Sequence, residues 1–305
     1  MIEPEPVIDY RAEMRKFVQD ISAAGKRTAA DFLVIPQNGH DLITYTGDAD
    51  GRLVEPYLYA IDALGREDLF FGYNRDDEQT PQSARSEMIS FLNLAKEAGK
   101  TVLITDYCWT RSKIDSSYHW NDRQDYLSFA ADHRELDHIP DYPAVPYKVN
   151  SADILSLKDA KNFLYLLNAG KYVTKTSFLD TLRHTDYDVL VIDLFFQDDD
   201  AFTKAEITLL KQKQNGSSRL VIAYMSIGEA ENYRYYWRPE WENNPPNWLL
   251  SENPDWPGNY KVKYWNNQWQ QIIVTGENSY LQKIINAGFD GVYLDIIDAF
   301  EYFER

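Results

Sequence analysis

The chain has 305 residues, with 31 basic against 48 acidic side chains and a formal charge of −17. A charge of that sign repels a phosphate backbone and excludes nucleic acid as the expected partner. A hydrophobic fraction of 44% beside 26% charged residues describes a packed core under a polar surface, not a disordered or fibrous chain. The single cysteine, Cys108, leaves no intramolecular disulfide and no multi-cysteine zinc site. No apolar run approaches the roughly 20 residues of a membrane helix. Met1-Ile2-Glu3-Pro4 has no basic stretch ahead of an apolar one, so the chain reads as soluble as given.

Taken in chain order, the pattern alternates helix-period stripes with short apolar runs. Residues 10–26 form the first helix, with Met14, Phe17, Val18 and Ile21 on one face. Phe32 to Pro36 is a strand, and Leu58 to Leu64 a second. Thr80 as N-cap and Pro81 in the first turn start a helix that runs to Ala98 and stops at Gly99. Val102 to Thr105, Phe163 to Leu167, Val189 to Ile192 and Leu220 to Tyr224 are continuous apolar strands of the kind buried on both faces. Tyr260 to Tyr264 is a weaker one. A short helix with Leu281, Ile284 and Ile285 inward, stopped by Gly288, precedes the last strand, Val292 to Leu294. Eight strands separated by helices predict a single (β/α)₈ TIM barrel over residues 1–305, with an open doubly wound sheet as the alternative. Residues 107–160 lack clear periodicity and read as an ordered loop insertion with its own apolar material in Trp109, Tyr118, Trp120 and Tyr126.

In such a barrel the active site lies at the C-terminal ends of the strands, so the residues just past each run carry the information. They are Gln37 and Asn38, Glu67, Asp106 and Tyr107, Asn168, Asp193, Ser226 with Glu229, and Asp295. No lysine and no histidine stands among them, and no glycine-rich phosphate loop precedes a helix. Schiff-base, nucleotide and most metal chemistry are therefore disfavoured, and paired-carboxylate acid and base work is favoured. Helix capping is the bland explanation for any one of these acids, but it does not explain so many together. Trp237, Trp241, Trp248, Trp256, Trp265 and Trp269 crowd one stretch, where ring faces could stack on sugars or simply pack a core. Tyr224 and Trp265 complete the candidate substrate-binding set. The histidines His40, His119, His133, His138 and His184 show no His-x-x-x-His spacing, so neither a metal nor a cofactor is expected.

Three stretches carry a resemblance: Ser226-Ile227-Gly228-Glu229-Ala230-Glu231-Asn232-Tyr233-Arg234, Trp256-Pro257-Gly258-Asn259-Tyr260, and Gly288-Phe289-Asp290-Gly291-Val292-Tyr293-Leu294-Asp295. They resemble glycoside hydrolase family 114, whose barrels include endo-α-1,4-polygalactosaminidases and the hydrolase domain of a Pel-type exopolysaccharide system. The resemblance implies a catalytic aspartate at the end of a D-G-V-x-x-D strand, here Asp295. It also implies a glutamate after a segment like Ile61 to Phe70, here Glu67, with Asp68 adjacent. The two segments stand in swapped order relative to the family, which implies a circular permutation. By the same resemblance the expected substrate is an α-1,4-linked galactosamine polysaccharide, made cationic by free amines, cleaved internally by a retaining two-carboxylate mechanism outside the cytoplasm. Glu67, after an apolar run, is the expected proton donor and Asp295 the nucleophile. A carbohydrate-binding barrel without catalysis is the alternative.

Overall fold

The computed structural model describes residues 8–197 and 200–304; Met1 to Pro4 lie outside them. The chain opens with α1 (Tyr10–Thr28). Its N-cap Asp9 accepts the Ala12 amide at 2.9 Å, and the expected stripe Met14, Phe17, Val18 and Ile21 is fully buried. Next come β1 (Leu33–Pro36), α2 (Glu55–Ala60), β2 (Ala63–Glu67), α3 (Gln82–Glu97) and β3 (Thr101–Tyr107). The chain continues with α4 (Arg111–Arg123), β4 (Leu127–Ala131), β5 (Phe163–Leu166), α5 (Lys175–Arg183) and β6 (Val189–Ile192). After α6 (Lys204–Leu210) and β7 (Leu220–Ser226) comes an excursion of three short strands, β8 (Glu229–Glu231), β9 (Leu249–Glu252) and β10 (Asn259–Val262). The last elements are α7 (Asn267–Gln270), α8 (Tyr280–Ala287), β11 (Gly291–Asp295) and α9 (Phe300–Phe303).

The fold is α/β, built on parallel sheets. One sheet has the order β1-β11-β7-β6-β5 and the other β2-β3-β4, and every pair within each is parallel. Val189 to Ile192 and Leu220 to Met225 are buried throughout, as continuous apolar strands covered by helices on one side and by other strands' side chains on the other should be. The two sheets meet at β1 and β2. Gln37 and Gly65 form a parallel bridge, the Asn38 amide donates to Gly65 O at 2.9 Å, and the Asp62 amide donates to Val34 O at 2.9 Å. At the other flank β4 and β5 are neighbours, and no ladder joins them among the described residues.

The structure departs from the sequence reading at four elements. The run Leu58 to Leu64 is divided: Pro56 starts α2, which buries Tyr57, Leu58 and Ala60, and β2 begins only at Ala63. Thr80 does not cap α3; its hydroxyl donates to Asp68 O at 2.8 Å, and the helix begins behind Pro81. Tyr260 to Tyr264 is not a member of the parallel set, because β10 pairs antiparallel with β8 and β9 in a small sheet of its own. Instead, the stretch read as loop holds α4 and β4, and β4 pairs parallel with β3. The polar helix Arg111–Arg123 buries only Ile114, Ser117, Tyr118 and Asn121, too narrow a stripe for periodicity to find.

Candidate functional site

A cavity of about 330 Å³ opens at the C-terminal ends of the parallel strands. Gln37 and Asn38 reach it from the end of β1, Glu67 from β2, Tyr107 from β3, Tyr165 from β5, Asp193 from just past β6, Tyr224 from β7 and Asp295 from β11. Glu67 and Asp295 therefore arrive from different sheets, and the β1 end ties them together. Gln37 Nε2 donates to Asp295 Oδ1 at 3.2 Å. Its chain neighbour Asn38 donates through Nδ2 to Glu67 Oε2 at 3.1 Å and accepts the Glu67 amide at 3.2 Å. Tyr224 Oη donates to Asp295 Oδ2 at 2.8 Å, and the Tyr107 hydroxyl donates to Glu67 Oε1.

The electrostatics follow from burial. Desolvation, and then the charge of Glu67, push the Asp295 carboxyl up to about 7. This differs from the expectation that the surroundings of Glu67 would mark the proton holder. Burial comes first for Tyr107, Tyr165, Tyr224 and Tyr293, with the nearby carboxylates adding to it, and all four hydroxyls lie well above the ordinary phenol value. They remain protonated donors at physiological pH. Asp298, also at the cavity, is raised to about 6 by burial and then by Glu301.

Backbone strain gathers at the same place. Asn38, Asp68 and Ile296 have φ of 64°, 61° and 57°, a left-handed conformation that is a genuine outlier for a β-branched residue such as Ile296. Each directly flanks or bonds one of the two carboxylates, as strain at a functional site does. Two glycines make the geometry possible. A side chain on Gly65 would run into the Tyr293 hydroxyl, and one on Gly228 into the Ile296 carbonyl.

Asp193 is held differently. Arg234 Nη1 and Nη2 donate to its two oxygens at 2.9 and 2.6 Å, while Arg234 Nε donates to Glu231 Oε2 at 2.6 Å. Arg234 is buried and holds Asp193 in a bidentate fork, so this group shapes the wall. On the opposite wall Arg134 lies 4.1 Å from the centroid of the Tyr107 ring and donates to Asp68 and Asp76 at 2.8 and 2.7 Å. At the mouth stand Tyr233 and Trp256, both about half exposed.

Four residues expected at the site lie outside the cavity. Asp106 is fully buried behind it, accepting the Phe70 and Phe71 amides at 2.8 and 3.2 Å as well as Ser117 Oγ and Asn121 Nδ2. Ser226 donates to Glu229 O at 3.2 Å, and Glu229 accepts Asn253 Nδ2 at 2.9 Å, which holds the start of the small sheet. Trp265 packs against Tyr10 and Phe303, with centroids 5.0 and 4.7 Å away. Four of the other tryptophans form a chain of contacts from Trp237 through Trp241 and Trp248 to Trp269, and Trp256 alone of the crowded stretch lines the cavity.

Glu231, Tyr233, Arg234, Trp256 and Asn259 were missed as site residues, although they stand within the stretches quoted for the resemblance. Arg134 and Tyr165 carried no signal: one is in the aperiodic region, the other inside an apolar run.

Two carboxylates at the C-terminal ends of parallel strands are the kind of equipment that glycoside hydrolysis uses. The chain belongs to glycoside-hydrolase family GH114, whose model matches residues 149–305. An uncharacterized protein of Methanocaldococcus jannaschii is 41% identical over 155 residues, covering 50% of this chain and 42% of that protein. One of Thermotoga maritima is 54% identical over 84 residues, covering 28% of this chain and 25% of its own length. One of Deinococcus radiodurans is 41% identical over 123 residues, 40% of this chain and 37% of that protein. This chain thus spans between a quarter and about two fifths of these relatives. The family match contains Asp295 and leaves Glu67 outside it.

Proposed function

We propose that this protein is an endo-acting glycoside hydrolase for an α-1,4-linked, galactosamine-containing polysaccharide, with Glu67 and Asp295 as the catalytic carboxyls. One observation carries the reading: two carboxyls from separate sheets converge on one cavity, each gripped by one of two adjacent residues, Gln37 and Asn38. Burial and then the charge of Glu67 raise the Asp295 carboxyl to about 7, so near neutral pH it sheds its proton to become the nucleophile. Glu67 protonates the leaving sugar oxygen. Asp295, fixed by Gln37 and Tyr224 at the end of a central strand, attacks the anomeric carbon as the leaving oxygen departs and forms a glycosyl ester; water deprotonated by Glu67 then displaces Asp295, and the two inversions give net retention. Gln37, Asn38, Tyr107, Asp193 and Tyr224 line the path of the substrate, and Tyr233 and Trp256 offer ring faces to it at the mouth.

The same reading takes the eight parallel strands as one closed, single-domain (β/α)₈ barrel, with the β1–β2 bridge completing the ring on one side and β4 and β5 facing each other on the other. It is circularly permuted, so that the part of the family fold carrying Glu67 precedes the part carrying Asp295. A polymeric substrate, cationic through its amines, implies a place outside the cytoplasm and would be drawn in by the acid-rich cavity. No helix among the described residues is long and apolar enough to cross a membrane.

Galactosamine polymers of graded acetylation, incubated with the protein and sized by mass spectrometry, test the reading. Internal cleavage to short oligomers is expected. Binding without shortening of any chain would replace it with the carbohydrate-binding alternative. Chemical rescue then assigns the roles: azide should yield a β-glycosyl azide with Asp295→Asn and an α-glycosyl azide with Glu67→Gln.

A further inference from the structure

Behind the Arg134 wall, the segment that follows β4 turns back on itself and brings Asp132, His133 and His138 together. Each offers one ligand atom, and these atoms lie within 4.8 Å of one another. His133 Nδ1 is 3.3 Å from Asp132 Oδ1, and His138 Nε2 is 3.0 Å from Asp132 Oδ2. The two imidazole rings lie 5.6 Å apart, tilted by 52°. We propose that this His₂Asp cluster binds one divalent transition-metal ion, of the zinc class, at the edge of the cavity.

Three features carry the proposal. The donor set is two imidazoles and one carboxylate, which suits zinc, nickel or cobalt and not the oxygen-only preference of calcium or magnesium. The set also has an outer support. His138 Nδ1 is 2.6 Å from Asp137 Oδ1, and Lys171 Nζ holds that same oxygen at 2.9 Å. A carboxylate on Nδ1–H fixes the tautomer that leaves the Nε2 lone pair for a metal. With that tautomer, the Nε2 lone pair faces the Asp132 carboxylate, an arrangement of two acceptors that calls for a cation between them. Lys171 also comes within 3.2 Å of His138 Nδ1, so a proton on Nε2 is the competing way to satisfy the pair. Finally, the ligands bracket the cavity wall. His133 and His138 stand on either side of Arg134 and Leu136, which line the cavity, and an ion would clasp that loop at both ends. The ion would sit apart from Glu67 and Asp295, so it acts on the position of Arg134 and takes no part in bond cleavage. The sequence hid the cluster because Asp132-His133 and His138 meet through a turn and not along a helix.

Untagged protein, stripped with a chelator and dialysed, is titrated with zinc, nickel, cobalt and magnesium chlorides by calorimetry. One zinc per chain is expected, with magnesium at least tenfold weaker. His133→Ala and His138→Ala should each weaken zinc at least tenfold, while His119→Ala, distant in the chain, should leave it unchanged. His133 is the more exposed of the pair, with 58% of its side chain accessible, so His133→Ala keeps the test valid if His138→Ala loosens the loop. In cobalt-loaded protein the visible absorption should disappear in His138→Ala, and zinc should slow proteolysis between residues 132 and 138. The absence of saturable uptake would overturn the proposal in favour of the bridging proton. Uptake that both histidine substitutions leave intact, or that does not favour zinc over magnesium, would overturn it equally.

Discussion

Both ends of the parallel strands bury acidic side chains, and they treat them in opposite ways. Asp188 precedes β6, whereas Asp295 ends β11. At the N-terminal end, Asp188 forms a fully buried ion pair with Lys213 at 2.8 Å and also accepts Asn150 Nδ2 and the Lys161 amide. Asp290, at the same end of β11, meets Lys211 at 2.6 Å and the Val221 amide at 2.8 Å. Each of these acids has its own cation. At the C-terminal end Glu67 and Asp295 are given hydroxyl and amide donors, and the arginines that line the cavity are committed to Asp68, Asp76, Asp193 and Glu231. A cation beside a carboxylate fixes its charge, whereas neutral donors position it and leave its proton available. The same residue type thus braces one end and titrates at the other.

Removing the titrating pair should break the chemistry with the largest effect. Asp295→Asn and Glu67→Gln should each lower kcat for glycan hydrolysis by about 10³-fold or more, an acid–base or nucleophile loss, with far-UV circular dichroism unchanged. A fully active Asp295→Asn variant would remove the pair from the mechanism. Breaking the bracing end should cost stability instead. Lys213→Met leaves Asp188 charged and unpaired in a dry site and should destabilise by about 3–5 kcal/mol, read by urea unfolding.

The comparison also has a pH signature. The nucleophile must shed its proton, so kcat should fall as pH drops below about 7, the value to which Asp295 is pushed. Stability follows the same proton. Folded Asp295 keeps it up to about 7, while the unfolded carboxyl releases it near the ordinary 3.8. Between those values the folded state binds more protons, so stability declines as pH rises. Asp295→Asn should therefore raise Tm at pH 8 and not at pH 3.5. The smallest effect belongs to the mouth: Trp256→Ala should raise KM a few-fold with kcat nearly unchanged, the mark of a uniform binding contact. Trp248→Ala, at 2% exposure, should destabilise by about 3–5 kcal/mol instead.

What the sequence made legible follows the physical signals it carries. Continuous runs such as Val189 to Ile192 need burial on both faces, and they became strands as read. β4, Leu-Ser-Phe-Ala-Ala, is equally buried but mixes small and polar residues, so its place was invisible until its neighbours formed. Tyr260 to Tyr264 has the alternation of a strand, and local pattern does not tell an antiparallel flap from a parallel member. Glu67, Asp295, Gln37, Asn38, Tyr107, Asp193 and Tyr224 were found because position at a strand end predicts location. Asp106, Ser226 and Glu229 followed the same rule and were turned away by local partners, and Trp265, taken from the tryptophan-rich stretch, packs against Tyr10 and Phe303 instead. Which side a side chain takes at a strand end is decided by hydrogen bonds that no spacing reports.

The adjacency of Gln37 and Asn38 has a practical consequence. A single peptide unit spans about 3.8 Å between its Cα atoms and is close to rigid, so the two grips act as jaws whose roots keep a fixed spacing. An engineer seeking to widen the gap between the two carboxyls should leave these jaws alone and shorten an arm. Glu67→Asp withdraws one carboxyl by a methylene while the jaw stays in place.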